Sequence, residues 1–109
     1  MRILVQRVFE AWVKVGGEEF SRTKRGLIVL VGLTHDDNTD VVDHMVSKIL
    51  NMRLWEKEGK GWNASVVEIG GDIMVVSQFT LYGILKGNKP DFHASMEADK
   101  ARDLFQYVV

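Results

Sequence analysis

The run Ile73-Met74-Val75-Val76 is apolar at every position and gives way at once to Ser77-Gln78-Phe79-Thr80-Leu81. Four consecutive apolar residues are the pattern of a strand covered on both faces, which commits the chain to a sheet with protein packed on each side of it. The polar groups that end the run must be hydrogen-bonded or must open onto a cleft, because a hydroxyl or amide buried without a partner costs about 1 to 3 kcal/mol. Ser77, Gln78 and Thr80 are therefore the first candidates for a site.

The other segments supply the rest of the fold. From Arg2 to Val15 the side chains alternate, placing Ile3, Val5, Phe9, Ala11, Val13 and Val15 on one face with Arg7 among them, so one long strand is expected. Gly16-Gly17 signals a hairpin turn, Glu18 to Ser21 the returning strand, Arg22 to Arg25 a basic loop, and Gly26 to Leu33 a buried strand. Val41, Val42, Met45, Val46, Ile49 and Leu50 recur at helical spacing, which predicts a helix over about 39 to 51, capped by Asn38 or Thr39 and with Asp40 and Asp43 near its positive end. Met52 to Trp55 reads as a short strand, Glu56 to Gly61 as a charged turn, and Gly83 to Pro90 as a loop. A last helix capped by Ser95 gathers Ala98, Ala101, Leu104, Phe105 and Val108 on one face. It meets no glycine, asparagine or basic last turn before Val109, so further sequence is expected beyond it. The expected architecture is α/β in the broad sense (mixed α+β): one curved mixed sheet with two helices, and residues 1 to 109 forming one domain.

Composition narrows the function classes. In 109 residues, 46% hydrophobic, three Trp and five Phe suffice for one core. Fourteen basic against fifteen acidic side chains give a net charge of −1, which argues against a domain that holds nucleic acid by bulk positive charge. With no cysteine, disulfides, thiolate zinc sites and cysteine nucleophiles are excluded. Charges at Arg7, Glu10 and Lys14 interrupt the N-terminal segment, and no stretch is long and apolar enough to span a bilayer, so a cytoplasmic protein without a membrane partner is expected. The Asn63-Ala64-Ser65 sequon reads as an ordinary loop after Gly61.

Single residues divide between chemical and structural readings. Arg7 lies on an apolar strand face, and since a guanidinium cannot be neutralised it needs a carbonyl, a carboxylate or a ligand. Asp36, Asn38 and Asp40 match the first ligand positions of a calcium loop, but Val41 stands where that loop needs glycine and Ser47 where it needs glutamate, so helix capping is the better account. His35, His44 and His93 lack metal-ligand spacing, and no metal is expected. Neither a Walker loop nor a G-x-G-x-x-G follows any strand, and no cofactor is expected. Ser77 or Thr80 could act as a nucleophile, although no G-x-S-x-G turn or evident base accompanies them; the alternative is that both hydroxyls satisfy neighbouring backbone. Lys86-Gly87-Asn88-Lys89-Pro90-Asp91-Phe92 joins two cations to an aromatic ring, a combination that suits a phosphate backbone and a base, or is simply a solvated basic loop.

Taken in order, VQRV at Val5 to Val8, the GLIVLVGL strand, KILNMRLW at Lys48 to Trp55, SQFTL and KGNKPDF strongly resemble the D-aminoacyl-tRNA deacylase family over nearly the whole chain. The resemblance implies a hydrolase that cleaves the ester between a D-amino acid, or glycine, and the 3′-terminal adenosine of tRNA, a chirality proofreader of translation. It further implies a homodimer in which the strand carrying Ser77, Gln78, Phe79 and Thr80 meets a glycine-cis-proline segment of the other subunit, with Arg7 beside that segment. Lys86, Gly87, Pro90 and Phe92 fall in the family's substrate-binding loop. The implied site is built largely from backbone groups that reject L-amino acids sterically, with the 2′-hydroxyl of the tRNA assisting attack.

The family's second motif, N-x-G-P-x-T, is not found in these 109 residues, and Pro90 belongs to a different loop. The expectation is that the full-length parent is an active deacylase and that these 109 residues alone are inactive or poorly folded, since half an oriented shell does little catalysis. A non-catalytic module that binds single-stranded nucleic acid or a protein is the alternative from another class, and an esterase acting on small D-amino acid esters is a third reading. The preferred D-amino acid is not legible in the sequence.

Overall fold

The computed structural model describes Met1–Val109 as a mixed α/β fold. In chain order the elements are β1 (Arg2–Val8), β2 (Ala11–Val15), β3 (Glu18–Thr23), β4 (Gly26–Gly32), α1 (Thr39–Asn51), β5 (Trp55–Lys57), β6 (Lys60–Ala64), β7 (Asp72–Ser77), a 3-10 turn at Phe79–Tyr82, β8 (Ile84–Lys86), β9 (Lys89–Asp91) and α2 (Ala98–Val108). Both expected helices form. The strands, however, do not share one sheet: β1, β4 and β7 make a three-stranded sheet in the order β1-β4-β7, while β2-β3, β5-β6 and β8-β9 are separate two-stranded pairs.

Strand position explains where apolar runs are covered and where they are not. Central β4 buries Leu27, Val29 and Val31 almost completely. In β7, at an end of the sheet order, only Met74 is buried and Ile73, Val75 and Val76 are half-buried. The expectation of full cover for Ile73 to Val76 is thus corrected, because a strand with one neighbour leaves part of its side-chain surface open.

The long strand expected from Arg2 to Val15 is interrupted at Phe9-Glu10. The chain leaves the three-stranded sheet there and enters a hairpin, so the single predicted face breaks up: Ile3, Val5 and Val8 are half-buried, Arg7 is exposed and Phe9 is 90% exposed. The predicted Gly16-Gly17 turn is present, with φ of +59° and +83°, the left-handed pair that matches strand twist in a two-residue hairpin. Arg22 and Thr23, read as loop, extend β3 because they pair with Trp12 and Ala11.

The chain gathers into two compact units. One comprises Met1–Leu4, Leu30–Val46 and Val75–Val109, the other Val5–Val29 and Ser47–Met74. In the second unit Leu27, Val29, Ile49, Trp55, Val66 and Met74 are buried. The short strand expected at Met52 to Trp55 begins only at Trp55, and the charged turn proves to be the β5-β6 hairpin, with Glu58 and Gly59 both at positive φ. Asn63 of the sequon consequently lies in a strand rather than a loop. Ser65 and Glu68 exchange reciprocal hydrogen bonds, the Glu68 N–H to the Ser65 hydroxyl and the Ser65 N–H to the Glu68 carboxylate, and Lys57 donates to the same carboxylate at 2.9 Å.

In the first unit Val31, Leu33 and Val42 are buried. Asn38 is the cap of α1: its Oδ1 accepts from the Val41 N–H at 3.1 Å, which bears out capping over a calcium loop. The helix begins and ends at the expected residues. The last helix starts at Ala98 after Glu97, and Ser95 is not its cap but donates elsewhere. Of its predicted apolar face, Ala101, Leu104, Phe105 and Val108 are half-buried and Ala98 is exposed.

Candidate active site

The site in the first unit is built from the way β7 ends. The N–H of Gln78 donates to the Val31 carbonyl at 2.7 Å, a last bond to β4. Beyond it the backbone tightens into the 3-10 turn, in which the Leu81 N–H reaches the Gln78 carbonyl and the Gly83 N–H the Thr80 carbonyl at 2.9 Å. SQFTL is therefore half strand end and half turn. Gly32 makes the turn's position feasible: a Cβ there would stand 2.8 Å from the Leu81 Cβ and 3.2 Å from the Gln78 carbonyl oxygen. Arg2 secures the far end, donating to the Leu81 carbonyl at 2.9 Å while its guanidinium lies 4.4 Å from the centre of the Tyr82 ring. Burial and the nearby Asp37 carboxylate push the Tyr82 hydroxyl above its usual value, against the opposing pull of Arg2.

This turn opens onto a groove of about 510 Å³ lined by Ser77, Phe79, Phe92 and Ser95 together with Met96, Ala98, Ala101, Arg102 and Phe105. The walls are mainly apolar and aromatic, with the two serines and one guanidinium supplying polar groups, the composition of a small-molecule cleft. Phe79 and Phe92 meet edge to face, with ring centres 5.2 Å apart and planes at 70°. Gly83 admits that packing, since a Cβ there would come within 2.8 Å of the Phe92 ring. Ser95 Oγ donates to the Phe79 carbonyl at 3.0 Å.

Of the residues expected at the site, Ser77, Phe79 and Phe92 line this one groove. Thr80 is exposed, and its hydroxyl accepts a hydrogen bond from the Gln78 side-chain amide. The partner is a side chain rather than the neighbouring backbone expected for this hydroxyl, and an oxygen engaged by an amide donor gains no basicity from it. Lys86, Gly87 and Pro90 do not form a loop as expected. They belong to the β8-β9 hairpin, in which Lys86 pairs with Lys89 and Leu85 with Pro90 around a two-residue Gly87-Asn88 turn, Gly87 taking φ +63°. Pro90 is tolerated because a two-stranded ribbon is all edge. Lys86 faces the Asp91 carboxylate at 3.7 Å.

Arg7 belongs to the second unit. Its Nη1 donates to the Leu54 carbonyl at 2.7 Å and its guanidinium lies 5.3 Å from the Trp62 ring centre, so the carbonyl partner demanded by its position is a local one. It lines a separate cleft of about 600 Å³ with Gln6, Phe9, Glu10, Arg25 and Trp55.

Arg2, Met96 and Arg102 do not stand out in the sequence, and Phe105 does so only as part of the apolar face of the last helix. A cation near the start of a strand looks like any solvated charge, and apolar residues at helical spacing look like core. The available signal was the apolar face on a helix that follows KGNKPDF closely.

The fold and this groove define a mixed α/β protein with an apolar and aromatic groove at a strand end. The family described as D-Tyr-tRNA(Tyr) deacylase matches residues 4–109. The chain is 48% identical over 107 residues to D-aminoacyl-tRNA deacylase 1 of Bos taurus, covering 97% of this chain and 51% of that protein. It is 43% identical to the D-aminoacyl-tRNA deacylase of Bacillus licheniformis, covering 97% and 73% of the two. A solved structure of a c-Myc DNA Unwinding Element Binding Protein superposes with a TM-score of 0.94 at 47% identity, over 99% of this chain and 73% of that one. The chain belongs to the D-Tyr-tRNA(Tyr) deacylase family. It spans about half the length of the vertebrate relatives it matches.

Proposed function

We propose that the protein hydrolyses the ester joining a D-amino acid, or glycine, to the 3′-terminal adenosine of tRNA, releasing free tRNA in the cytoplasm. The observation that carries this reading is the convergence of Ser77, Phe79 and Phe92 on one groove within a chain whose family and curated relatives are D-aminoacyl-tRNA deacylases. Aromatic walls suit an aminoacyl side chain or the terminal base, and the serine supplies a polar contact at the reacting end. With the Thr80 hydroxyl accepting from Gln78, attack by water assisted by the ribose 2′-hydroxyl, with the ribose 3′-oxygen leaving, fits better than attack by a protein nucleophile. The chain's part is then orientation and exclusion, holding the ester at fixed backbone dipoles.

Within this reading Gln78 and Thr80 stiffen the turn, and Lys86, Gly87 and Pro90 present the β8-β9 hairpin to the acceptor end. Arg7 serves the site of a homodimer in which each groove is completed at the subunit interface. Residues 1 to 109 act as one deacylase domain.

The test is deacylation of D-Tyr-tRNA and L-Tyr-tRNA by the chain, alone and when extended to the length of its vertebrate relatives, with sedimentation to read subunit number. Cleavage confined to the D-ester by a dimer supports the proposal. Cleavage of both stereoisomers, or of small esters without tRNA, points to a general esterase. Folded protein that binds single strands without cleaving any ester replaces the enzyme with a binding module.

A further inference from the structure

Phe92 faces the groove from an irregular segment, after β9 has ended at Asp91 and before α2 begins. It is 39% exposed and has no strand ladder of its own to hold it. The residues on either side close a turn around it. The Asp91 carboxylate accepts the His93 backbone N–H at 3.2 Å, an Asx-turn with Phe92 at its centre, and the same oxygen accepts Nδ1–H of the His93 ring. Lys86 faces the other carboxylate oxygen at 3.7 Å.

The turn is tied down beyond His93. His35 Nε2–H donates to the His93 carbonyl at 2.5 Å, and the Thr34 hydroxyl donates to the Ala94 carbonyl at 2.5 Å. The Ser95 N–H returns to the Phe92 carbonyl at 3.0 Å, so Phe92 is bracketed on both sides by hydrogen bonds. A ring whose flanking backbone is fixed loses little further entropy on meeting a ligand, which is how a rigid wall improves binding.

We propose that Asp91 and His93 are positioning residues that hold the Phe92 ring against Phe79 and thereby set the width of the groove for the aminoacyl-adenosine end. The inference rests on the deacylase reading for its substrate, but not for its geometry. Asp91 does not touch the ester, and acts through Phe92. The hydrogen bond from the His93 side chain holds the Asp91 carboxyl below its ordinary range, which favours the carboxylate form that accepts these bonds.

Two readouts test it, comparing Asp91→Ala, His93→Ala and the conservative Asp91→Asn, which keeps an acceptor for the His93 N–H. In protein carrying 4-fluorophenylalanine, with the Phe92 resonance assigned by its loss in Phe92→Leu, the signal is expected to shift and broaden in Asp91→Ala and to return toward the parent position in Asp91→Asn. A folded Asp91→Ala or His93→Ala protein with an unmoved Phe92 signal overturns the proposal, whether or not the chain deacylates anything. In the deacylation assay both alanine variants should raise KM about tenfold with kcat nearly unchanged, corresponding to loss of about one charge-assisted hydrogen bond. A fall in kcat at constant KM would overturn the positioning role, while an inactive parent with the expected fluorine shifts would sink the deacylase reading alone.

Discussion

The Ser95 hydroxyl donates to the Phe79 carbonyl at 3.0 Å, joining the segment that leads into α2 to the turn that ends SQFTL. This bond links two walls of the groove without belonging to either helix or sheet. Ser95→Ala should lower unfolding free energy by about 0.5 to 1.5 kcal/mol, the net worth of one hydrogen bond. Chemical denaturation should show that loss, and the deacylation KM should rise while the far-ultraviolet spectrum stays unchanged. An unaltered midpoint would mean that solvent replaces the bond at no cost.

Two glycines of β4 make contrasting predictions. In Gly32→Ala the new methyl would meet the Leu81 Cβ at 2.8 Å, and the 3-10 turn can yield to it by moving outward. A folded protein is expected, destabilised by about 1 to 3 kcal/mol as for other overpacked sites, with the larger loss in deacylation because the turn carries Phe79. In Gly26→Ala the methyl would fall 1.8 Å from the Asp72 carbonyl oxygen, where only backbone could move. That variant should fail to accumulate as folded protein. Equal stability of the two variants would refute the close packing that separates them.

Glu58 occupies the left-handed region at φ +54°, followed by Gly59 at +74°, in the two-residue turn between Lys57 and Lys60. Most residues other than glycine are disfavoured there, whereas Asn, whose short polar side chain bonds locally, tolerates it and Asn-Gly is the preferred pair for this turn. Glu58→Asn is expected to stabilise the protein by about 0.5 to 1 kcal/mol in thermal or chemical unfolding, without effect on deacylation. Destabilisation would show that the Glu58 side chain contributes more than its backbone conformation costs.

Much of this fold could be read from local pattern, and the failures have physical causes. Helix α1 was legible because periodicity, an Asn38 cap and the acidic first-turn residue Asp40 agreed. The Gly16-Gly17 hairpin was legible because a glycine pair reaches at no steric cost the positive φ that a two-residue hairpin turn needs. The break at Phe9-Glu10 was not, since alternation continues on both sides while the hydrogen-bonding partner changes from one sheet to another. KGNKPDF was taken for a loop because Gly and Pro usually signal one, yet a two-residue turn and an edge strand accommodate both. At the site, Ser77 stood out with Gln78 and Thr80 as polar residues ending an apolar run, whereas Phe79 entered only through the family resemblance. Phe92 entered through KGNKPDF, but the bonds that tie down His93 and Ala94 beside it come from His35 and Thr34, 58 and 60 residues from those partners in sequence, and no local pattern reports such pairs.

Glu68 gives the clearest pH dependence. Its carboxyl is held below the ordinary value of 4.5, chiefly by the hydrogen bond from Lys57 and then by that from the Ser65 N–H. A carboxyl whose folded value is lowered binds its proton more weakly in the folded state, so its contribution is fully present above about 4.5 and is lost as pH falls through the lower folded value. Denaturation midpoints measured downward from neutral pH should therefore decline across that acid window. Glu68→Gln should begin less stable at neutral pH and lose less on acidification, because its side chain has no proton to take up. Added salt should shrink the difference between the two proteins at neutral pH, since Lys57 and Glu68 are both solvent-accessible. A Glu68→Gln curve parallel to that of the parent through the whole range would assign the acid sensitivity to other carboxylates, Asp91 first among them.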